Sequence, residues 1–275
     1  MPHFTTSDNA RIYFEDTGTG LPVLCLAGLT RTLRDFDFVA PHLAQYRMIA
    51  MDYRGRGQSD FDTDYSNYNI LRESQDVIEL LDHLGLEQVN ILGTSRGGLI
   101  AMALATSHPA HLSRVILNDV GPVIDPIGLA LIMTYVGKRP AAKTYDEAAA
   151  GLQSVMEARF PGVSLERWRT QAKNQYLETP DGLQLRYDPK LRDALLDQSA
   201  AGPAPDLWPL FAALRDVPTG LIRGQNSDLL SPDTLVEMHQ RHPGLRSVEI
   251  PDRGHVPFLD EPQAVDLIHA ILETS

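Results

Sequence analysis

Three side chains in this 275-residue sequence stand where nucleophilic chemistry needs them. Ser95 lies in Gly93-Thr-Ser-Arg-Gly97, His255 follows Gly254 in Pro251-Asp-Arg-Gly-His255, and Asp228 closes Gly224-Gln-Asn-Ser-Asp228. A serine hydroxyl is a poor nucleophile until a base takes its proton. An imidazole can be that base, and a carboxylate can hold the imidazole in the right tautomer and stabilise the imidazolium. A G-x-S-x-G pattern alone is weak. A serine at a glycine-rich strand-to-helix turn can equally do nothing but cap the helix, so the surrounding elements must decide.

Gln88–Leu92 reads as a short buried strand and Leu99–Ala105 as a small-residue helix. A strand that becomes a helix within a few residues crowds its own backbone, and glycines at 93 and 97 relieve the crowding. Ser95 then sits at a helix N-terminus, where free N–H groups and the dipole favour developing negative charge. Upstream, Phe4–Phe14 reads as a hairpin turning at Asp8-Asn9, followed by apolar strands at Pro22–Ala27 and Arg47–Met51. The spacing predicts helices over Arg34–Ala44 and Tyr68–Leu84, the second capped by Gly85, and a further strand over Arg114–Asp119. From Gly121 to about Leu214 no strand is expected. The segment is proline-broken, scatters large apolar side chains, and carries all the lysines: Lys138, Lys143, Lys173 and Lys190. It is too long for a loop. The rhythm resumes with strands at Thr219–Arg223 and Arg246–Ile250 and helices at Pro232–His242 and Gln263–Glu273. Alternation of this kind predicts a mostly parallel sheet with helices on both faces, with Ser95, Asp228, His255 and the Gly28-Leu29 turn collected beyond the strands' carboxyl ends.

Composition narrows the classes. The net charge of −12 argues against nucleic acid and anionic membrane surfaces as partners. No apolar run approaches a membrane span, and the N-terminus lacks the basic and apolar regions of a signal peptide, so a cytoplasmic protein is expected. The single cysteine, Cys25, lies in an apolar strand and reads as a core residue, and no intramolecular disulfide is possible.

The order Ser, Asp, His, with Asp52-Tyr-Arg-Gly55-Arg-Gly57-Gln-Ser59, Gly224–Asp228 and Gly254-His255-Val-Pro-Phe, resembles the α/β-hydrolase fold over essentially the whole chain. The resemblance implies an eight-stranded, mostly parallel sheet flanked by helices. It implies a core of residues 1–121 and 215–275, with 122–214 as a helical lid inserted after strand six. It assigns Ser95 as nucleophile, His255 as base and Asp228 as acid. Asp119 is the competing acid, since some members take theirs from the strand before the lid. The backbone N–H groups of Leu29 and Arg96 are the implied oxyanion donors. Many relatives carry His-Gly before the second donor, where this chain has Ala27-Gly28.

Arg96 places a cation in the first turn of a helix, against the dipole. It reads either as paired with a carboxylate such as Asp119 or Asp35, or as an anchor for an anionic substrate group, with Arg31 and Arg34 as further anchors. Met133, Trp168, Tyr176 and Trp208, with Leu129 and Ile132, are candidate walls of an apolar pocket. The expected activity is that of a serine carboxylesterase acting on a small-molecule ester or lactone through an acyl-enzyme, with no metal or organic cofactor required. The alternatives are a lactonase, a C–C bond hydrolase, which usually has an aromatic residue where Val256 stands, and a non-catalytic receptor with an intact triad. The sequence does not determine the oligomeric state.

Overall fold

The computed structural model describes residues 2–274, so Met1 and Ser275 of the expected core lie outside the described residues. Ten strands are present among them: β1 (His3–Thr5), β2 (Arg11–Thr17), β3 (Pro22–Leu26), β4 (Arg47–Met51), β5 (Val89–Thr94), β6 (Leu112–Asn118), β7 (Tyr176–Thr179), β8 (Gly182–Leu185), β9 (Thr219–Gly224) and β10 (Arg246–Ile250). Eight of them form one sheet in the order β1-β2-β4-β3-β5-β6-β9-β10. β1 and β2 pair antiparallel, β2 runs antiparallel to β4, and every neighbouring pair from β4 to β10 is parallel. Parallel strands covered on both faces should be apolar throughout, and β5 and β9 are buried at every position.

The helices that cover the sheet show why their sequences stop where they do. α1 (Ile70–Leu84) begins at Asn69, whose side chain accepts from the Arg72 N–H, and ends at Gly85 in the left-handed conformation. α2 (Arg96–Ser107) follows β5 at once and is buried along most of its length. α8 (Pro232–Arg241) and α9 (Pro262–Leu272) each start with proline in the first turn. The helix expected over Arg34–Ala44 is instead two short 3₁₀ turns, Leu33–Phe36 and Ala40–Leu43. Pro41 is tolerated in the first turn of the second piece but not inside one continuous helix.

Residues 122–214 hold α3 (Pro126–Tyr135), α4 (Tyr145–Met156), α5 (Leu165–Gln175), α6 (Leu191–Ala200) and α7 (Trp208–Ala212). The expectation of no strand here is corrected by the β7–β8 hairpin, paired from Tyr176↔Leu185 to Thr179↔Gly182. Its turn is Thr-Pro-Asp-Gly: proline presets the first turn dihedral, and Gly182 takes a φ of +101°. The segment is fastened to the sheet by ion pairs Arg159–Asp228 and Arg167–Asp260, and by an aromatic cluster of Phe160 and Trp168 with Phe38 and Phe258. Arg167 also stacks its guanidinium over Phe38 at 3.7 Å. No helix among the described residues is long and apolar enough to cross a membrane.

Candidate active site

The sheet order brings three adjacent strands to one edge. β3 leads into Gly28-Leu29, β5 into Ser95, and β6 into Asp119; the loop after β10 carries His255. Ser95 has φ 50° and ψ −111°, a conformation that costs on the order of 1–3 kcal/mol for a residue with a Cβ. The surrounding packing enforces it. A Cβ on Gly97 would stand 2.0 Å from the Leu26 carbonyl oxygen, and one on Gly93 would stand 2.6 Å from the Gly97 carbonyl carbon. Only glycine at both positions lets α2 start this close to β3 and β5.

His255 Nε2 lies 3.0 Å from Ser95 Oγ, and His255 Nδ1 lies 2.8 Å from Asp119 Oδ2. The acid position therefore belongs to Asp119, which corrects the assignment of Asp228. Asp119 is fully buried one residue past β6, with φ 54°, and its N–H donates to the Ile222 carbonyl at 2.7 Å. Its carboxylate also accepts from the Gly224 N–H at 2.8 Å and the Ser227 hydroxyl at 2.6 Å. The Gly224–Asp228 loop thus supplies donors to the acid rather than the acid itself. Asp228 instead pairs with Arg159, a residue of the cavity wall.

Leu29 and Gly28 line the cavity in front of Ser95. Among the described residues, the Leu29 and Arg96 amides donate to no protein acceptor, whereas Gly97 N–H is taken by Ala27 O and Gly98 N–H by Ser95 O. The Arg96 side chain does not enter the cavity. It is buried against Glu73, which also meets Arg56 at 2.9 Å. The partner is neither Asp119 nor Asp35, and pairing with Glu73 removes Arg96 as a substrate anchor. Arg56 Nε donates to Leu29 O at 3.1 Å, so the buried ion cluster reaches the turn after β3, and Tyr53 Oη donates to Ala27 O of the same turn at 3.0 Å. Glu73 was not singled out in the sequence; it lies 23 residues before Arg96, and only α1 packing on α2 brings them together.

The cavity has a volume of about 820 Å³. Of the expected wall residues, Trp168, Tyr176 and Ile132 line it, as does Arg31. Three do not. Met133 lies outside, its carbonyl accepting from Arg192 at 2.7 Å. Trp208 packs on Phe211 and under Arg241, away from the cavity. Leu129 is exposed. Arg34 is taken up by Glu15 and Asp37. Burial raises the phenols of Tyr176 and Tyr187, the latter to about 12, so both face the cavity as neutral groups. Cys25 is fully buried in β3, which pushes its thiol up and leaves it a core residue. No cluster of three or more metal-ligating side chains occurs among the described residues.

A parallel sheet with a strained serine at the carboxyl end of its central strand, backed by histidine and aspartate, defines a class of protein. The family model for the alpha/beta hydrolase fold matches residues 22–262, and the chain belongs to that family as a hydrolase of the α/β fold. It is 38% identical over 252 residues to the 3-hydroxybutyrate-oligomer hydrolase of Cupriavidus necator, covering 88% of this chain and 85% of that protein. It is 26% identical over 243 residues to the 2-(acetamidomethylene)succinate hydrolase of Mesorhizobium japonicum, covering 87% of this chain and 83% of that one. Among solved structures, an alpha/beta hydrolase from Novosphingobium aromaticivorans superposes with a TM-score of 0.92 at 38% identity, covering 98% of this chain and 96% of that one.

Proposed function

We propose that this chain is a serine esterase that cleaves small carboxylic esters, with acid-bearing hydroxyalkanoate oligomers as its substrate class. The observation that carries the reading is the continuous relay from Ser95 Oγ through His255 to buried Asp119 at the edge of the cavity. In the reaction, His255 takes the Ser95 proton as Oγ attacks the ester carbonyl. The oxyanion forms against the N–H groups of Leu29 and Arg96, for which no acceptor competes among the described residues. His255 then protonates the leaving alkoxide, the acyl-enzyme remains on Ser95, and a water deprotonated by His255 releases the acid. Residues 122–214 act as the lid, and Ile132, Trp168 and Tyr176 give the site an apolar wall that strengthens the oxyanion contacts while leaving His255 open to the hydrolytic water. Similarity to a 3-hydroxybutyrate-oligomer hydrolase supports the choice of substrate.

The test is chromatographic. Purified protein is incubated with the dimer and trimer of 3-hydroxybutyrate, and monomer release is followed alongside Ser95→Ala. Monomer formed by the wild type and lost in Ser95→Ala is the expected result. Cleavage of neutral aryl esters with none of the oligomers would reject the substrate class, and no cleavage of either by the wild type would reject the esterase reading.

A further inference from the structure

The chain carries a net charge of −12, yet its cavity is lined by four cations, Arg31, Lys138, Arg139 and Arg159, against two carboxylates, Asp35 and Glu147. Arg159 is neutralised by Asp228. Lys138 and Arg139 have no carboxylate partner among the described residues. Arg31 is the cation beside the nucleophile. A Cβ placed on Gly28 would stand 3.3 Å from Arg31 Cγ and 3.9 Å from Ser95 Cβ, so the arginine stem and the nucleophile flank the same glycine. The nearest acid, Asp35 Oδ1, is 3.8 Å from Arg31 Nη1 and makes no hydrogen bond to it. Asp35 is largely enclosed; desolvation raises its carboxyl while Arg31 pulls it the other way. The Gln175 amide on α5 sits against both terminal nitrogens of Arg31, and the amide orientation that satisfies its neighbours points the oxygen at them as an acceptor.

We propose that Arg31 is a specificity residue that takes a carboxylate carried by the substrate close to the scissile ester. A guanidinium presents paired N–H donors in a fixed plane that matches a carboxylate, and it keeps its charge in a partly dry cavity. Lys138 and Arg139, with no carboxylate partner among the described residues, add the positive field that draws the anion in. The substrate class narrows to esters of hydroxy acids whose far end is a free acid, and neutral esters of the same length are disfavoured. This assignment rests on the esterase reading above.

The experiment compares the 3-hydroxybutyrate dimer as free acid and as its carboxamide, which share one scissile ester. kcat/KM is measured for both in wild type, Arg31→Ala and Arg31→Lys, with circular dichroism confirming that each variant is folded. The wild type is expected to prefer the free acid, Arg31→Ala to lose at least tenfold of that preference, chiefly through KM, and Arg31→Lys to retain part of it. An equal preference in wild type and Arg31→Ala would overturn the assignment. No turnover of either compound by the wild type would overturn the esterase reading and this assignment with it.

Discussion

Replacing Asp119 by asparagine isolates the role of the buried acid. The carboxylate accepts from His255 Nδ1, Ser227 Oγ and Gly224 N. An asparagine oxygen can still serve Gly224, but its NH₂ group then faces the imidazole. To meet that donor, His255 must carry its proton on Nε2, the nitrogen 3.0 Å from Ser95 Oγ. An Nε2–H cannot take the serine proton, so the base is lost while the geometry survives. The expected loss in kcat is about 10⁴-fold, the scale seen when a triad acid is made into an amide, which is about 5 kcal/mol of transition-state stabilisation. Asp228→Asn breaks only the ion pair with Arg159, whose two side chains are 20% and 22% exposed. Its cost should stay within about tenfold, as for a partly exposed pair. The assay is steady-state hydrolysis of a short aryl ester, with circular dichroism as the control for folding. A loss of thousands-fold in Asp228→Asn with Asp119→Asn close to wild type would refute the reasoning.

Two further outcomes follow from buried carboxylates. Glu73→Gln leaves Arg56 and Arg96, both almost fully buried, without an anion; urea unfolding should show a loss of about 3–5 kcal/mol, and an unchanged midpoint would argue against the cluster. Asp52 is pushed up to about 6 by burial, although it accepts from the Leu33 and Gln58 N–H groups. The folded state therefore holds its proton more tightly than the unfolded chain, and the resulting stability is present below about pH 4 and lost as pH rises through about 6. Relative to Asp52→Asn, the wild type should lose stability between those values by thermal unfolding, and a difference that is flat with pH would contradict this.

What could be read from the sequence was local. The β5–Ser95–α2 turn announces itself because its crowding demands glycines at fixed offsets, and α1 because Gly85 closes an amphipathic run. The acid was ambiguous because Asp119 and Asp228 both follow strands. The choice depends on Asp119 turning back at φ 54° toward donors from the neighbouring loop, and a linear pattern does not carry that information. The hairpin over Tyr176–Leu185 was present in Thr-Pro-Asp-Gly but hidden among prolines that elsewhere only break helices. Trp168 and Trp208 look alike as large apolar residues in one segment. One closes the cavity, and the other packs against Phe211 and Arg241 on a different side. Arg96 did signal something unusual, and its explanation lay in Glu73 on another helix.

The most direct test of the account is covalent capture of the nucleophile. The wild-type protein is treated with a fluorophosphonate and digested, and the modified peptide is mapped by mass spectrometry. The result predicted is one phosphonylated residue, Ser95, with esterase activity lost in step with labelling and no labelling of Ser95→Ala. Labelling at another residue, or ester hydrolysis that persists in Ser95→Ala, would contradict the claim that Ser95, His255 and Asp119 act together.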